Sequence, residues 1–394
     1  MTEPLTFPLR NSGPFSLPGE IAALRGEREI APLHYPDGRS GWVVTRRSTI
    51  RSVLADPRFS ARQELRTTQS SEIDTAPPAA PGMFISMDPP DHTRYRRVLT
   101  GQFTVRRMRR LADRIAEIAE DCLDRMEAAG PPADLVRDYA VPIPAQMICE
   151  MLGVPDDFRD TFHRELIELS RSGASLETHA QTMARVNAYL GELVARKRAE
   201  PTDDVLGGII EDGGDLSDAA IVNMAFLLLG GGFDTTTNML ALGTFALVQD
   251  PGQIPLITDP ATVDNAVEEL LRYLPVVPGT IRAALEDVEL EGVTVKKGDN
   301  VLVALPAGNR DPERFADPDT LDLARSANGH ISFGHGVHQC IGQQLARVEM
   351  QVAFPALFRR FPDLRLAVAP EDVPLRDDMV IFGAHELPVT WGPR

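Results

Sequence analysis

A mainly α-helical fold with small β-sheets is predicted by three features of the 394-residue chain. Apolar residues recur at spacings of three and four through its middle, the mark of helices with one buried stripe. One such stretch, Ser217 to Gln249, runs for 33 residues without a proline. Alternating apolar runs are short and lie near the two ends and in 281–305, as expected of small strands.

The elements follow in order. Gly41 to Thr45 reads as a strand, and Ser48 to Asp56 as a short helix stopped by Pro57. Residues 67–82, polar and rich in Pro and Ala, read as a long loop. From residue 104 the spacing of Val105, Met108, Leu111, Ala112, Ile115, Ile118, Ala119, Cys122 and Leu123 predicts a helix. Further helices are expected near 143–152, 156–171 and 176–199, with Pro142, Pro144, Pro155 and Pro201 as breaks. Ser217 can cap the long helix, about 50 Å at ~1.5 Å per residue, and Asp250-Pro251 stops it. Strands surround Gly292 and Gly298. A glycine-rich loop, 328–342, feeds a helix over about 341–360, and the last thirty residues read as hairpin strands. No linker divides the chain, so residues 1–394 are expected to form a single domain.

The charge balance, 40 Lys+Arg against 57 Asp+Glu for a net −17, excludes a general nucleic-acid or anionic-membrane binder. The 43% apolar content supports a large core. No window is expected to reach the ~18 apolar residues that a membrane helix needs, and the N-terminus has no signal-peptide pattern. Cys122, Cys149 and Cys340 cannot all pair within one chain. A reducing cytoplasm is expected.

Two segments break the pattern. Gly230-Gly231-Gly232-Phe233-Asp234-Thr235 interrupts the apolar centre of the long helix. Each interior glycine costs about 1 kcal/mol against alanine. Either the helix ends there and Asp234 caps the next, or it is opened so that a flat ligand approaches the backbone and a hydroxyl beside an acid relays protons. The second segment is His330 to Gly342, where Cys340 sits among glycines at a helix N-terminus, a position that favours a thiolate. His330, His335, His338 and Cys340 could be read as a zinc set, but four ligands in eleven residues hardly form a tetrahedron. A single thiolate ligand to haem iron is the other reading.

Here the residues resemble a known family. Phe333-x-x-Gly336-x-His338-x-Cys340-x-Gly342 is similar to the haem-binding signature of the cytochrome P-450 superfamily. Gly231-Gly232-Phe233-Asp234-Thr235 resembles its oxygen-activation motif, Glu269-Leu270-Leu271-Arg272 its Glu-x-x-Arg pair, and Asp88 to Arg96 the entry to its haem-contacting helix. The resemblance covers essentially the whole chain and points to soluble bacterial members.

It implies the cytochrome P-450 fold, with haem b between the long central helix and the cysteine loop. Cys340 would be the axial thiolate, flanked by Phe333, with Gly336 and Gly342 leaving room for the ring. His92, Arg96, Arg282 and His338 would meet the haem propionates. Asp234 and Thr235 would deliver protons, with Gly231 and Gly232 admitting O2. Glu269 and Arg272 would form a buried structural pair completed by Arg325, while Arg314 stays on the surface. Phe84, Ile85, Ala225, Leu228, Leu229, Val277, Pro278 and Ile381 are the expected substrate contacts, with walls from the 67–85 loop and residues 161–195.

The implied activity is O2-dependent hydroxylation or epoxidation of a lipophilic small molecule, of polyketide or macrolide type. Oxidation of drugs, steroids or other xenobiotics is the alternative. A non-catalytic haem-binding protein would not need the acid–alcohol pair. With no flavin domain or iron–sulfur spacing in the chain, electrons are expected from a ferredoxin and its NAD(P)H-dependent reductase. The seven arginines of 94–110, with no Asp or Glu among them, offer an acidic donor a docking patch. The protein is expected to be a monomer that binds neither nucleic acid nor membrane.

Overall fold

The computed structural model describes residues 4–67, 76–155, Glu165, 176–377 and 379–392. The expected helix over 156–171 and the centre of the 67–82 loop, residues 68–75, lie outside the described residues. The chain divides into two compact units, both discontinuous in sequence.

The first unit comprises Met1–Ala79, Phe84–Arg94 and Glu268–Cys340. Its centre is a six-stranded mixed sheet in the order Leu5–Thr6, Ile30–His34, Ser40–Val44, Asn300–Val303, Thr280–Ala284, Phe59–Ser60. The predicted strands at 41–45 and 281–305 are present. Alternation along them divides two cores. Val44, Val301 and Val303 join one, while Val43 and Leu302 join the other, as a period of two requires. The helix Arg47–Ala55 buries Thr49, Ile50, Val53 and Leu54, a three-and-four spacing. A separate hairpin, Val288–Leu290 with Val293–Val295, turns through Glu291 and Gly292, both at positive φ. That is the requirement of a two-residue type I′ turn.

The second unit comprises Ala80–Met83, Tyr95–Val267 and Ile341–Arg394, and it is mostly helical. The predicted helix after residue 104 is two, Val105–Arg109 and Ala112–Ala129. The second buries Ile115, Ile118, Ala119, Cys122 and Leu123 as the spacing required. Pro142 and Pro144 do not break a helix. They sit in the first turn of Pro142–Leu152, where an N–H has no helical partner to lose.

The central helix is Asp218–Gln249, and the Ser217 hydroxyl accepts from the Ala220 N–H at its start. By length and composition this helix could cross a membrane, with a mean hydropathy of 1.3 over its best 18 residues. Its apolar surface instead packs against Leu176–Ala199, Pro142–Leu152 and Gln343–Arg360. Gly243 permits the last contact, because a Cβ there would lie 2.4 Å from the Phe354 ring. The expected terminal hairpin is wider than a tight turn. Arg365–Leu366 and Pro388–Thr390 pair antiparallel, and Ala133–Asp134 adds a third strand beside the latter.

Candidate functional site

In the first unit the cysteine loop is folded by its own backbone. Gly334 and Gly336 adopt positive φ, which glycine takes without strain. The Cys340 N–H donates to the Phe333 carbonyl at 2.8 Å, and the Gly334 N–H to the Ile331 carbonyl at 2.8 Å. Cys340 is exposed, whereas Cys122 and Cys149 are buried in the second unit. Burial pushes the Cys122 thiol up to about 11, so it behaves as a small hydrophobe. Gly336 has a structural reason of its own: a Cβ there would meet the Leu54 carbonyl oxygen at 2.4 Å.

The zinc reading fails. His330 is engaged by Glu268, Nε2 to Oε2 at 2.9 Å. His338 lies against His92, ring centroids 4.2 Å apart. Among the described residues no three potential ligands converge on one point.

Glu269 and Arg272 form a fully buried bidentate pair, at 2.6 and 2.7 Å. A buried pair needs its remaining protons and lone pairs satisfied. Arg272 also donates to the carbonyls of Asn309, Pro318 and Thr320. Glu269 also accepts from Arg325 at 3.2 Å and from the Asp322 N–H at 3.0 Å. The expected third partner is therefore in place, and Arg314 is exposed.

Arg282 is buried in its strand, donating to the Thr280 hydroxyl at 2.9 Å and the Ile281 carbonyl at 3.0 Å. Burial, with the Arg66 charge nearby, pulls its pKa down to about 10, against an opposing pull from Asp88. Arg66 donates to Ser86 at 3.2 Å, and its Nε is buried with no hydrogen-bond partner. Asp88 is held by the Ser60 hydroxyl and the Ala61 N–H. Among the described residues neither arginine has a carboxylate within ion-pair distance. Asp88 is thus a distant carboxylate common to both guanidiniums, and Arg66 feels Glu64 as well. The sequence reading missed Arg66, which carries no motif.

In the second unit the glycine run does not end the central helix, which continues through it. Asp234 is therefore not a cap, and tertiary packing outweighs the propensity cost. A Cβ at Gly231 would meet no protein atom within 4 Å, and at Gly232 only Ile148, at 4.0 Å. Protein packing does not demand these glycines. The Thr235 hydroxyl donates to the Gly231 carbonyl at 2.8 Å, a back-bond one turn away. Arg376 forks onto Asp234 at 2.6 and 3.3 Å. Asn238 donates to the Asp234 carbonyl at 2.8 Å and to its carboxylate at 3.2 Å. Arg376 and Asn238 were not foreseen. The i,i+4 spacing could have pointed to Asn238, but nothing local points to Arg376.

The remaining expected residues divide between the units. His92, Phe333 and His338 lie in the first, Arg96 and Gly342 in the second. Of the substrate set, Phe84, Ile85, Val277 and Pro278 lie in the first unit, with Ile85 and Pro278 exposed. Ala225, Leu228, Leu229 and Ile381 lie in the second, where Ala225 and Leu229 are core residues at 0% and 2% exposure. A groove of about 500 Å³ in the second unit, lined by Pro260, Val263, Val352, Pro355 and Arg360 among others, contains none of them.

Comparison with known proteins decides the family. Residues 257–390 match the family model described as Cytochrome P450. Cytochrome P450 105C1 from a Streptomyces species is 44% identical over 98% of this chain and 99% of its own. This chain belongs to the cytochrome P450 family. Among other P450s, the mycinamicin IV hydroxylase/epoxidase of Micromonospora griseorubida is 38% identical over 99% of both chains. The solved structure of cytochrome P450 MoxA from Nonomuraea recticatena is 40% identical over 99% of both chains, with a TM-score of 0.91.

As a cytochrome P450 the protein has the P450 fold and is a monooxygenase whose haem iron takes a cysteine thiolate. The residues present fit that group. Haem b carries two carboxylates, and buried Arg282 with half-buried Arg66 gives positive charge that, among the described residues, has no carboxylate within ion-pair distance. Cys340 offers an exposed sulfur on a preformed loop, and Gly231 admits a close approach to the helix backbone.

Proposed function

We propose that this P450 hydroxylates or epoxidises a lipophilic secondary metabolite of polyketide or macrolide type, with Cys340 as its haem ligand. The observation that carries the reading is the Asp234–Thr235 pair on an unbroken central helix, with its acid held by Arg376. A protein that only binds haem needs no such pair. The mycinamicin relative, by its name a hydroxylase/epoxidase, supports the substrate class.

When bound, haem with an anionic sulfur ligand supplies the O2 activation and the oxidising power. The chain's own residues do the rest. Phe333 fixes the Cys340 N–H. Arg282, His92, His338 and Arg96 would hold the haem carboxylates, a task for which a guanidinium is suited because it can offer a carboxylate two donors. Thr235 has its own proton engaged on Gly231, so its oxygen lone pairs remain free to accept a proton-bearing partner. Asp234 stands one residue away as the proton-relaying carboxylate, its orientation fixed by Arg376 and Asn238. Proton transfer from a positioned group is worth typically ~10²–10⁴-fold in rate.

The chain works as one haem domain over residues 1–394, a cytoplasmic monomer fed by a ferredoxin and its NAD(P)H-dependent reductase. Arg94, Arg97, Arg106, Arg109 and Arg110 are all exposed, which suits docking of an acidic donor. The test is a pair of measurements. Reduced protein under CO should give the strongly red-shifted Soret band of thiolate ligation, and Cys340→Ser should abolish it. Macrolide-type substrates should displace water from the iron in binding spectra. Folded, haem-loaded protein without the red-shifted band would overturn the reading.

A further inference from the structure

His330 belongs to no role derived above, yet its side chain is 3% exposed and bonded at both ring nitrogens. Nδ1 accepts from the Ser332 N–H at 3.2 Å. An accepting nitrogen carries no proton, so the ring proton is assigned to Nε2, which donates to the Glu268 carboxylate at 2.9 Å. One backbone amide thus selects the tautomer, and one carboxylate fixes the plane of the ring.

The contacts continue towards Cys340. The His330 and Phe333 rings lie 5.9 Å apart at 51°, within the range of attractive tilted pairs. The Ser332 hydroxyl donates to the Leu271 carbonyl at 2.6 Å and accepts from Asn309 at 2.8 Å. Asn309 in turn accepts from the Ile331 N–H at 2.7 Å. The bonds of 330–332 thereby hold the loop against sliding. The next residue, Phe333, presents the carbonyl that receives the Cys340 N–H.

We infer that Glu268 and His330 are positioning residues for the thiolate loop: Glu268 orients the His330 ring, and the ring sets Ser332–Phe333 in the register that holds the Cys340 amide. Glu268 is adjacent to Glu269 in sequence but serves a different purpose. Glu269 closes the buried pair with Arg272 and Arg325, whereas Glu268 reaches the cysteine loop through one imidazole. The inference rests on Cys340 being the haem ligand, but the register it describes belongs to the polypeptide alone.

The experiment uses the full chain in both forms, as Glu268→Ala, Glu268→Gln, His330→Phe, His330→Gln and the double Glu268→Ala/His330→Phe. In apoprotein, hydrogen exchange of the 333–340 segment should quicken about tenfold in His330→Phe and Glu268→Ala, the effect of one lost charge-assisted bond. Exchange in the six-stranded sheet should not change. Glu268→Gln keeps an acceptor and should stay within about threefold of the parent. His330→Gln keeps the Glu268 bond, loses the Ser332 bond and should fall between. In holoprotein the red-shifted CO band should decay about tenfold faster in the same two variants, and the double should match either single because one chain of contacts is cut. Unchanged loop exchange in His330→Phe, or effects that multiply in the double, would overturn the inference. If the parent lacks the red-shifted band while loop exchange responds as stated, the ligand assignment fails and the dyad stands.

Discussion

Arg376 holds the carboxylate of Asp234 in a two-pronged grip, with Nη1 on Oδ1 at 2.6 Å and Nη2 on Oδ2 at 3.3 Å. The arginine side chain is 5% exposed and the acid 23%. Arg376 is itself tied to Gly383 by its backbone N–H, and Gly383 abuts Asn238, where a Cβ would collide with the amide. Asp234 is therefore clamped by a helix neighbour and by the C-terminal segment together. Arg376→Ala should leave the carboxylate able to swing. Coupled turnover is expected to fall about tenfold, since removing one partner of a buried charge pair costs ~3–5 kcal/mol, part of which solvent at Asp234 recovers. Product formed per NAD(P)H consumed is the measurement. Arg376→Lys keeps the charge but not the fork and should recover only part of the loss.

Thr235 differs from its two threonine neighbours. Thr236 and Thr237 are buried at 2% and 3%, while the Thr235 hydroxyl back-bonds to Gly231 at the glycine-lined stretch. Thr235→Ala should leave folding and the CO spectrum intact, because the lost back-bond contributes little to the helix. It should uncouple the reaction, with peroxide released as NAD(P)H is consumed. Unchanged coupling would remove Thr235 from the proton path.

Glu349 is fully buried beside the central helix, and its carboxyl is pushed up from 4.5 to about 8 by burial, against a smaller opposing bond to Thr236. A folded pKa above the unfolded one means the folded state keeps a proton the unfolded state releases. The associated stability is complete below about pH 4.5 and is lost as pH rises through about 8. The interval corresponds to on the order of 5 kcal/mol. Glu349→Gln should flatten the fall in unfolding free energy between those pH values and stabilise the protein above pH 8. Denaturant melts at several pH values test it, and parallel curves would refute it.

Local signals were sufficient where the physics is local. The Ser217 cap, the three-and-four stripe of Ala112–Ala129 and the Glu269–Arg272 spacing are decided within a few residues. The glycine run was ambiguous because propensity favours a break, while packing on three neighbouring helices favours continuity. Arg376 was invisible because its partner is 142 positions away and its own surroundings carry no motif. The strand Ala133–Asp134 was missed for the same reason: two residues make no pattern until Pro388–Thr390 lies beside them. Glu349 reads as one more charge on a helix, and only the fold reveals that it faces the core.

If Arg282 meets a haem carboxylate as proposed, the positive charge at Arg66 and Arg282 should govern haem retention. Burial and then the Arg66 charge lower the affinity of Arg282 for its proton, and Asp88 is committed to Ser60 and Ala61. An incoming carboxylate relieves that repulsion. Arg282→Gln should quicken haem loss to an acceptor apoglobin about tenfold, the scale of one charge-assisted bond. Arg66→Gln should have a smaller effect, because its Ser86 contact and partial exposure leave water to compensate. Apoprotein stability should not fall in either variant, since each removes one of two like charges. Faster haem loss together with a destabilised apoprotein would assign the arginines to folding instead.

The arginines of 94–110 do not act alike. Arg107 is half-buried, bonded to Gln102 at 2.6 Å and within 3.6 Å of Asp203, so it is a structural residue. Arg106 and Arg109 are exposed on the short helix Val105–Arg109. In a protein of net charge −17, a local positive field governs which face an acidic donor meets first, and such steering falls steeply with salt. Reversing both to Glu should slow ferredoxin-driven turnover about tenfold at low ionic strength, within the range steering contributes to association. The difference from the parent should shrink above ~0.3 M salt as the Debye length contracts. Peroxide-driven turnover bypasses the donor and should be unchanged. An equal fall in both rates would show that the patch supports the fold rather than the encounter.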